Sequence, residues 1–76
     1  MKLRNIFINN FKELLQERKL TQEQIALALA VKQSSISKLL NGMTSPKFET
    51  LIKIADYFGV SLDYLVGRTE NPEINK

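Results

Sequence analysis

The sequence contains no cysteine, no histidine and no tryptophan. Without cysteine, no disulfide framework can hold the chain together, and thiolate catalysis and cysteine-ligated zinc are both excluded. Histidine is the commonest proton-transfer and metal-ligating side chain, so its absence weakens every interpretation of the chain as an enzyme. We therefore expect no cofactor, no bound metal and no catalytic site.

Long apolar runs are also missing. No segment approaches the roughly 18 apolar residues needed to cross a bilayer, and the N-terminus lacks the apolar core and cleavage site of a signal peptide. These absences predict a cytoplasmic protein with no membrane partner. A chain of 76 residues with 43% hydrophobic and 25% charged residues suits one small folded domain.

Negative charge is absent from the middle third of the chain. Positions 24–48 contain no acidic residue, whereas Lys32, Lys38 and Lys47 all lie there. Three of the 11 basic residues are in this segment and the other eight are balanced by the eight acids, so the net charge of +3 belongs to it. A solvated basic face would explain this distribution, and so would a surface that binds a polyanion.

Apolar residues repeat at helical spacing in two segments. They are Phe7, Phe11, Leu14 and Leu15 in the first, and Leu51, Ile54, Ala55 and Phe58 in the second. No alternation is long enough to predict a strand, so we expect an all-α fold. The predicted helices are at about 5–18, 22–29, 33–40, 47–58 and 62–66. Together they form a domain over residues 1–66, followed by a polar and flexible tail over 67–76.

Helix ends are marked by specific residues. Thr21 is a good N-cap, and Gln24 three positions later completes a capping box. Lys32 is a poor N-cap residue, so the start of the third helix depends more on flanking apolar residues. Gly42 and Gly59 stand where a left-handed backbone conformation ends a helix.

Only residues 30–32 separate the second and third predicted helices, so these helices must turn sharply against each other. This spacing predicts a helix-turn-helix at about 22–41. The small side chains of Ala26 and Ala28 would let the two backbones approach. Ile36 and Leu39 would then anchor the third helix to the core.

The third helix is left with an outward face of short, polar and basic side chains. Glutamine can pair with an adenine edge, lysine can donate to guanine, and serine lets a helix approach the major groove closely. The predicted base contacts are Gln33, Ser34, Ser37 and Lys38. Residues at the helix ends and around the turn would instead contact DNA phosphates and fix the register. The predicted phosphate contacts are Gln22, Lys32, Ser35, Asn41 and Thr44.

The chain resembles the XRE and lambda-repressor-like helix-turn-helix regulators. The resemblance covers Leu20 to Leu65, LTQEQIALALAVKQSSISKLLNGMTSPKFETLIKIADYFGVSLDYL. It rests on an ordered set of motifs: TQEQIA at the opening, NG after the third helix, SP before the fourth and GVSLDYL at the fifth. The resemblance implies a compact five-helix DNA-binding domain whose third helix reads double-stranded DNA. It also implies a homodimer on a palindromic or pseudo-palindromic operator, with the positions named above facing bases and phosphates.

Two residues depart from the family pattern. The family commonly has glycine in the turn where this chain has Ala30, and a left-handed alanine costs about 1 kcal/mol or more, so either the turn is strained or its backbone differs slightly. Many members also have serine or threonine where Lys32 stands, so a cap is exchanged for a cation that can contact a phosphate.

Three functional hypotheses follow from these patterns. The first is a sequence-specific transcriptional regulator, a repressor that blocks a promoter by occupying its DNA. The alternative is an antitoxin-like protein-binding module with autoregulatory DNA binding. An enzyme is the weakest hypothesis, because Glu13 and Glu17 fit surface charges beside Arg18 better than a catalytic pair. The last helix also carries or adjoins apolar residues that either complete the core or pair two subunits, namely Tyr57, Leu62, Tyr64 and Leu65.

Overall fold

The computed structural model describes residues 3–67, with side chains from residue 5 onward, and these residues form five α-helices and no strand. The helices are α1 (Leu3–Arg18), α2 (Gln22–Leu29), α3 (Gln33–Leu40), α4 (Phe48–Phe58) and α5 (Leu62–Leu65). The prediction of an all-α, five-helix fold is confirmed. The predicted tail lies outside the described residues, except for Gly67.

The observed helix ends agree with the sequence prediction for α2 and α3 and differ slightly elsewhere. α1 begins at Leu3, two residues earlier than predicted, so residues 3–6 belong to the helix. Ile6 in this segment is half-buried and lies against Gly67, where an added side chain would collide with it. α4 begins one residue later than predicted, because Lys47 has an extended backbone and serves as its N-cap. α5 ends one residue earlier, at Leu65.

The core is built around aromatic residues of α1. The rings of Phe7 and Phe11 stack with centroids 5.6 Å apart, and Phe11 meets Phe58 of α4 edge to face at 6.3 Å. One fully buried aliphatic residue from each of the other elements completes the centre: Ile25, Ile36, Ile54 and Leu65. None of the described polar or charged side chains is buried. Leu51, predicted as core, is only half-buried at the edge of this cluster.

Long side chains from neighbouring helices satisfy the carbonyl groups at two helix ends. Arg18 Nη2 donates to the Phe58 carbonyl at 3.1 Å, and its guanidinium lies 5.5 Å from the Phe58 ring centroid. Lys53 Nζ donates to the carbonyl of Leu29, the last residue of α2, at 3.4 Å. Cations near helix C-termini also interact favourably with the helix dipole. These contacts attach α4 to α1 and α2 without burying a charge.

Asn10 ties α1 to α5 in the same way, because its Nδ2 donates to the carbonyls of Tyr64 at 2.8 Å and Leu65 at 3.3 Å. We expect Asn10→Ala to lower the free energy of unfolding by about 1–2 kcal/mol, since partly buried carbonyls lose their donor. Urea denaturation followed by circular dichroism measures this change. The matched control is Asn9→Ala, at an exposed position of the same helix, which should be neutral or slightly stabilising. Equal losses in both variants would contradict the assigned role of Asn10.

The turn of the helix-turn-helix contains a left-handed alanine. Ala30 has φ 58° and ψ 43°, and its N–H donates to the Leu27 carbonyl at 3.2 Å. The Val31 N–H donates to the Ala26 carbonyl at 3.0 Å, which completes the end of α2. The turn therefore keeps its usual backbone shape with alanine in the strained position. Ala26 is buried as predicted, but Ala28 is exposed, so the prediction that both alanines line the helix contact is wrong for Ala28.

We expect Ala30→Gly to raise the free energy of unfolding by about 0.5–1 kcal/mol, because glycine adopts the left-handed conformation without steric cost. The matched control is Ala28→Gly, also exposed but within α2, where glycine should cost about the same amount. Thermal denaturation of the two variants should therefore give midpoints displaced in opposite directions. A lower midpoint for Ala30→Gly would show that the alanine is not strained.

Candidate nucleic-acid interface

One side of α3 carries only polar and basic residues. At about 100° per residue, Gln33, Ser34, Ser37, Lys38 and the following Asn41 fall within roughly 140° of the helix surface. We call these five residues the polar arc. The buried residues Ile36, Leu39 and Leu40 lie outside this arc, with Leu40 next to its Gln33 edge, and attach α3 to the core. The structure therefore brings all four residues predicted to contact bases onto one face.

Within the polar arc, the side chains differ in exposure. Gln33, Ser34 and Lys38 are exposed, whereas Ser37 is half-buried. Asn41 is exposed, and its Nδ2 donates to Ser37 Oγ at 3.4 Å. A residue predicted to contact phosphate thus lies beside one predicted to contact a base. The sequence spacing alone did not lead us to predict a hydrogen bond between these two side chains.

The N-terminus of α3 places a cation at the positive end of the helix dipole. Lys32 is its N-cap, with an extended backbone and no side-chain capping hydrogen bond. Its carbonyl accepts the N–H groups of Ser35 at 3.0 Å and Ile36 at 3.3 Å. Because the side chain is exposed and makes no cap, its ammonium can extend toward an anion. Helix N-termini favour anions on the same electrostatic grounds.

A groove of about 280 Å³ lies between α3, the loop after it and the start of α4. Its residues are Val31, Ser35, Ile36, Leu39, Thr44, Ser45, Lys47 and Thr50. Four of them carry a hydroxyl group and one an ammonium, which are phosphate-binding groups. We call this feature the hydroxyl-lined groove. It brings together Ser35 and Thr44, two predicted phosphate contacts from different parts of the chain.

The hydroxyl-lined groove also contains Ser45, Lys47 and Thr50, which the sequence prediction did not include among the site residues. The available signal was their position in the acid-free segment or just after it, around the proline that precedes α4. Lys47 caps α4 with its backbone only, since its side chain makes no capping hydrogen bond. Lys47 lines the groove together with residues that carry hydroxyl groups, and its side chain is exposed.

Gln22 lies at the start of α2, where the predicted capping box is present. Gln24 N–H donates to Thr21 Oγ1 at 3.1 Å, and Thr21 N–H donates to Gln24 Oε1 at 2.8 Å. Gln22 is exposed as the first residue of the helix. The first N–H groups of a helix have no partner within it and can donate to a phosphate. The neighbouring Glu23 limits how closely an anion can approach this end.

The described residues include no cluster of acidic, histidine or cysteine side chains arranged to hold a metal ion. In this part of the chain, no helix has both the length and the apolar character to cross a membrane. Burial, and then the charges of Glu13 and Glu17, raise the pKa of Tyr64 above its usual value.

The sharp turn between α2 and α3, with α1, α4 and α5 packed around it, defines a helix-turn-helix domain. A family model described as helix-turn-helix matches residues 11–65 of the chain. The chain belongs to this family, and its predicted relationship to XRE-type regulators is confirmed.

Several known proteins are similar to the chain. It is 32% identical over 69 residues to YqaE of Bacillus subtilis (strain 168), an uncharacterized HTH-type transcriptional regulator, with 91% of this chain and 60% of that protein covered. It is 34% identical over 65 residues to the cryptic phage CTXphi transcriptional repressor RstR of Vibrio cholerae, covering 86% of this chain and 59% of RstR. The chain therefore spans about three fifths of these two relatives.

A solved structure supports the same conclusion. The crystal structure of a transcriptional regulator from Listeria innocua aligns with a TM-score of 0.74 and 39% sequence identity, over 80% of this chain and 57% of that one. All three similar proteins are named as transcriptional regulators or repressors. The antitoxin-like alternative is therefore not favoured.

Proposed function

We propose that the chain is the sequence-specific DNA-binding unit of a cytoplasmic transcriptional regulator, with residues 1–66 as its binding domain. The observation that carries this proposal is the polar arc, which is free of acidic residues and lies on a helix anchored by three buried side chains. One similar protein is named a transcriptional repressor. We accordingly propose repression, in which occupancy of the operator blocks a promoter and no catalytic step is needed.

In this proposal, α3 recognises the bases. Gln33 at the helix start can donate and accept with the N6 and N7 groups of adenine, and Lys38 can donate to guanine O6 or N7. Ser34 and Ser37 are short, so they allow close approach and can bond either kind of edge. Ser37 contributes through its outward hydroxyl only, because its side chain is half-buried and shares a hydrogen bond with Asn41.

Phosphate binding fixes the position of α3 in the groove. We assign phosphate contacts to Lys32 at the N-terminus of α3 and to the hydroxyl-lined groove, with Ser35, Thr44 and Lys47 on its walls. Asn41 after α3, Gln22 and the first N–H groups of α2 would meet further phosphates. These contacts supply affinity that depends on salt, whereas the four residues of the polar arc within α3 supply specificity.

Two copies would bind one operator. In a homodimer the two α3 helices enter successive major grooves about 34 Å apart, so the operator is palindromic or pseudo-palindromic. The apolar surface proposed for pairing is Tyr57, which is 42% exposed, together with half-buried Leu62 and Tyr64. Leu65 was also a candidate, but it has no exposed surface, so it completes the core instead.

Selection of bound oligonucleotides from a random pool at physiological salt tests the proposal. The expected result is a palindromic motif whose half-sites are about 10 base pairs apart. The selected site should bind about 10³-fold or more tightly than its scrambled version. Equal affinity for selected and scrambled DNA at every salt concentration would reject specific recognition. Sedimentation analysis of the protein on a full site and on a half-site then tests the homodimer.

A further inference from the structure

Asn41 and Gly42 form the one Asn-Gly pair in the sequence. In an Asn-Gly pair, the backbone nitrogen of the glycine can attack the asparagine side-chain amide, since glycine has no side chain to obstruct the approach. The three other asparagines within the described residues, Asn5, Asn9 and Asn10, lie inside α1 and precede larger residues. Asn41 is therefore chemically distinct from them.

The surroundings of Asn41 permit this attack once the end of α3 opens. Asn41 follows the last residue of α3 and is exposed, with φ −90° and ψ 1°. A Cβ built at Gly42 would have Ile8 Cδ1, at 3.6 Å, as its one neighbour within 4 Å among the described residues, apart from the adjacent ones. The glycine therefore offers no side chain against the attack, and the Asn41 amide is open to solvent.

Four hydrogen bonds restrain the pair and the residue after it in the folded state. Asn41 N–H donates to the Ser37 carbonyl at 3.0 Å, Gly42 N–H donates to the Leu39 carbonyl at 3.2 Å, and Asn41 Nδ2 donates to Ser37 Oγ at 3.4 Å. Met43 N–H donates to the Lys38 carbonyl at 2.9 Å, which is the shortest of the four. Ring closure requires rotation about ψ of Asn41 and release of these bonds. Helix ends open locally at far lower cost than the whole domain unfolds, so local opening sets the rate.

We propose that Asn41 is a site of spontaneous deamidation that lowers DNA affinity as the protein ages. The deprotonated Gly42 nitrogen attacks Asn41 Cγ, a C–N bond forms, and the side-chain nitrogen leaves as ammonia. Water then opens the cyclic imide at either carbonyl and gives aspartate or isoaspartate. One water is consumed and one ammonia released, and no oxidant or reductant is required.

The product changes the charge of the polar arc. This part of the inference rests on the proposed function. Deamidation places a carboxylate beside Ser37, in the segment over 24–48 that otherwise contains no acidic residue. A carboxylate facing DNA phosphates is repelled, and one at a helix C-terminus is also unfavourable to the helix dipole. Isoaspartate in addition inserts a backbone carbon directly after α3, which shifts the loop that borders the hydroxyl-lined groove.

Incubation of the purified protein under warm, mildly alkaline conditions, with peptide mass mapping and DNA titration on the same samples, tests the proposal. Asn41 should convert to aspartate and isoaspartate, while Asn9 in the same samples keeps its amide. Specific affinity should fall in proportion to conversion, and fresh Asn41→Asp should bind on the order of tenfold more weakly than fresh wild type. In Asn41→Gln, the cyclic imide forms far more slowly. The DNA affinity of this variant after incubation should therefore equal its affinity before incubation.

Each possible result decides a separate part of the proposal. An Asn41 amide that persists as long as the Asn9 amide would refute the deamidation site. Full conversion with unchanged affinity would refute its effect on DNA binding. If fresh wild type shows no specific binding, the proposed function fails and the effect on affinity fails with it, whereas the mass map still decides the chemical site.

Discussion

Phe11→Ala is expected to reduce the free energy of unfolding to about 0–2 kcal/mol, so that up to about half of the protein is unfolded at room temperature. Phe11 has no exposed surface, and its ring contacts Phe7 at 5.6 Å and Phe58 at 6.3 Å between centroids. Replacing a buried phenylalanine by alanine costs about 3–5 kcal/mol. A domain of this size with no disulfide or metal has about 5 kcal/mol of stability in total. The substitution therefore removes most of what keeps the domain folded.

Circular dichroism at 222 nm and chemical denaturation measure the loss directly. Phe48→Ala is the matched control, because it removes the same side chain from a position that is 68% exposed. Surface substitutions of this kind stay within about 0.5 kcal/mol, so this variant should unfold close to wild type. Similar losses from Phe11→Ala and Phe48→Ala would mean that the α1 aromatics do not form the core.

Gln33→Ala is expected to relax base recognition at one position of each half-site. Gln33 is exposed at the start of α3. In the polar arc, only Gln33 and Asn41 have a planar amide group, which can donate and accept hydrogen bonds in the plane of a base edge. Losing one bidentate contact costs about 1–3 kcal/mol against the preferred site. Affinity for other bases at that position should change little, so the preference there flattens.

Substitutions of two other glutamines distinguish a loss of base recognition at Gln33 from a loss of phosphate binding and from an unspecific effect. Gln22→Ala should weaken binding to all sequences alike, because Gln22 lies at the N-terminus of α2 among the proposed phosphate contacts. Gln16→Ala, on the exposed face of α1, should leave DNA binding unchanged. Binding constants for a set of operators with single-base changes would distinguish the three variants. An equal loss of affinity for all operators in Gln33→Ala would mean that Gln33 binds phosphate and does not recognise a base.

Local features of the sequence predicted most of the fold. The capping box at Thr21 and Gln24 and the short connection before α3 depend on neighbouring residues only, and the observed α2 and α3 match their predicted ends. For Ala30, by contrast, the resemblance left open a strained turn or a different backbone, and the structure shows the left-handed conformation, with φ 58°. Residues that obey helical periodicity need no knowledge of the partner they pack against.

Features that depend on two distant segments could not be predicted in this way. The hydrogen bonds of Asn10, Arg18 and Lys53 reach carbonyls 24 to 55 residues away in the sequence. Periodicity gives the face of a helix but not which partner covers it, and this explains the exposed Ala28 and the half-buried Leu51. The hydroxyl-lined groove joins residues from two helices and a loop. Its members Lys47 and Thr50 had no individual signal strong enough to select them.

The contact of Asn10 with α5 has a consequence for synthesis of the protein. Its two acceptors, the carbonyls of Tyr64 and Leu65, are made 54 and 55 residues after Asn10 itself. Leu65 also supplies one of the fully buried side chains of the core. A nascent chain on the ribosome therefore cannot close its domain when α2 and α3 emerge, although the polar arc is already complete. The complete core forms only after Leu65 has left the exit tunnel.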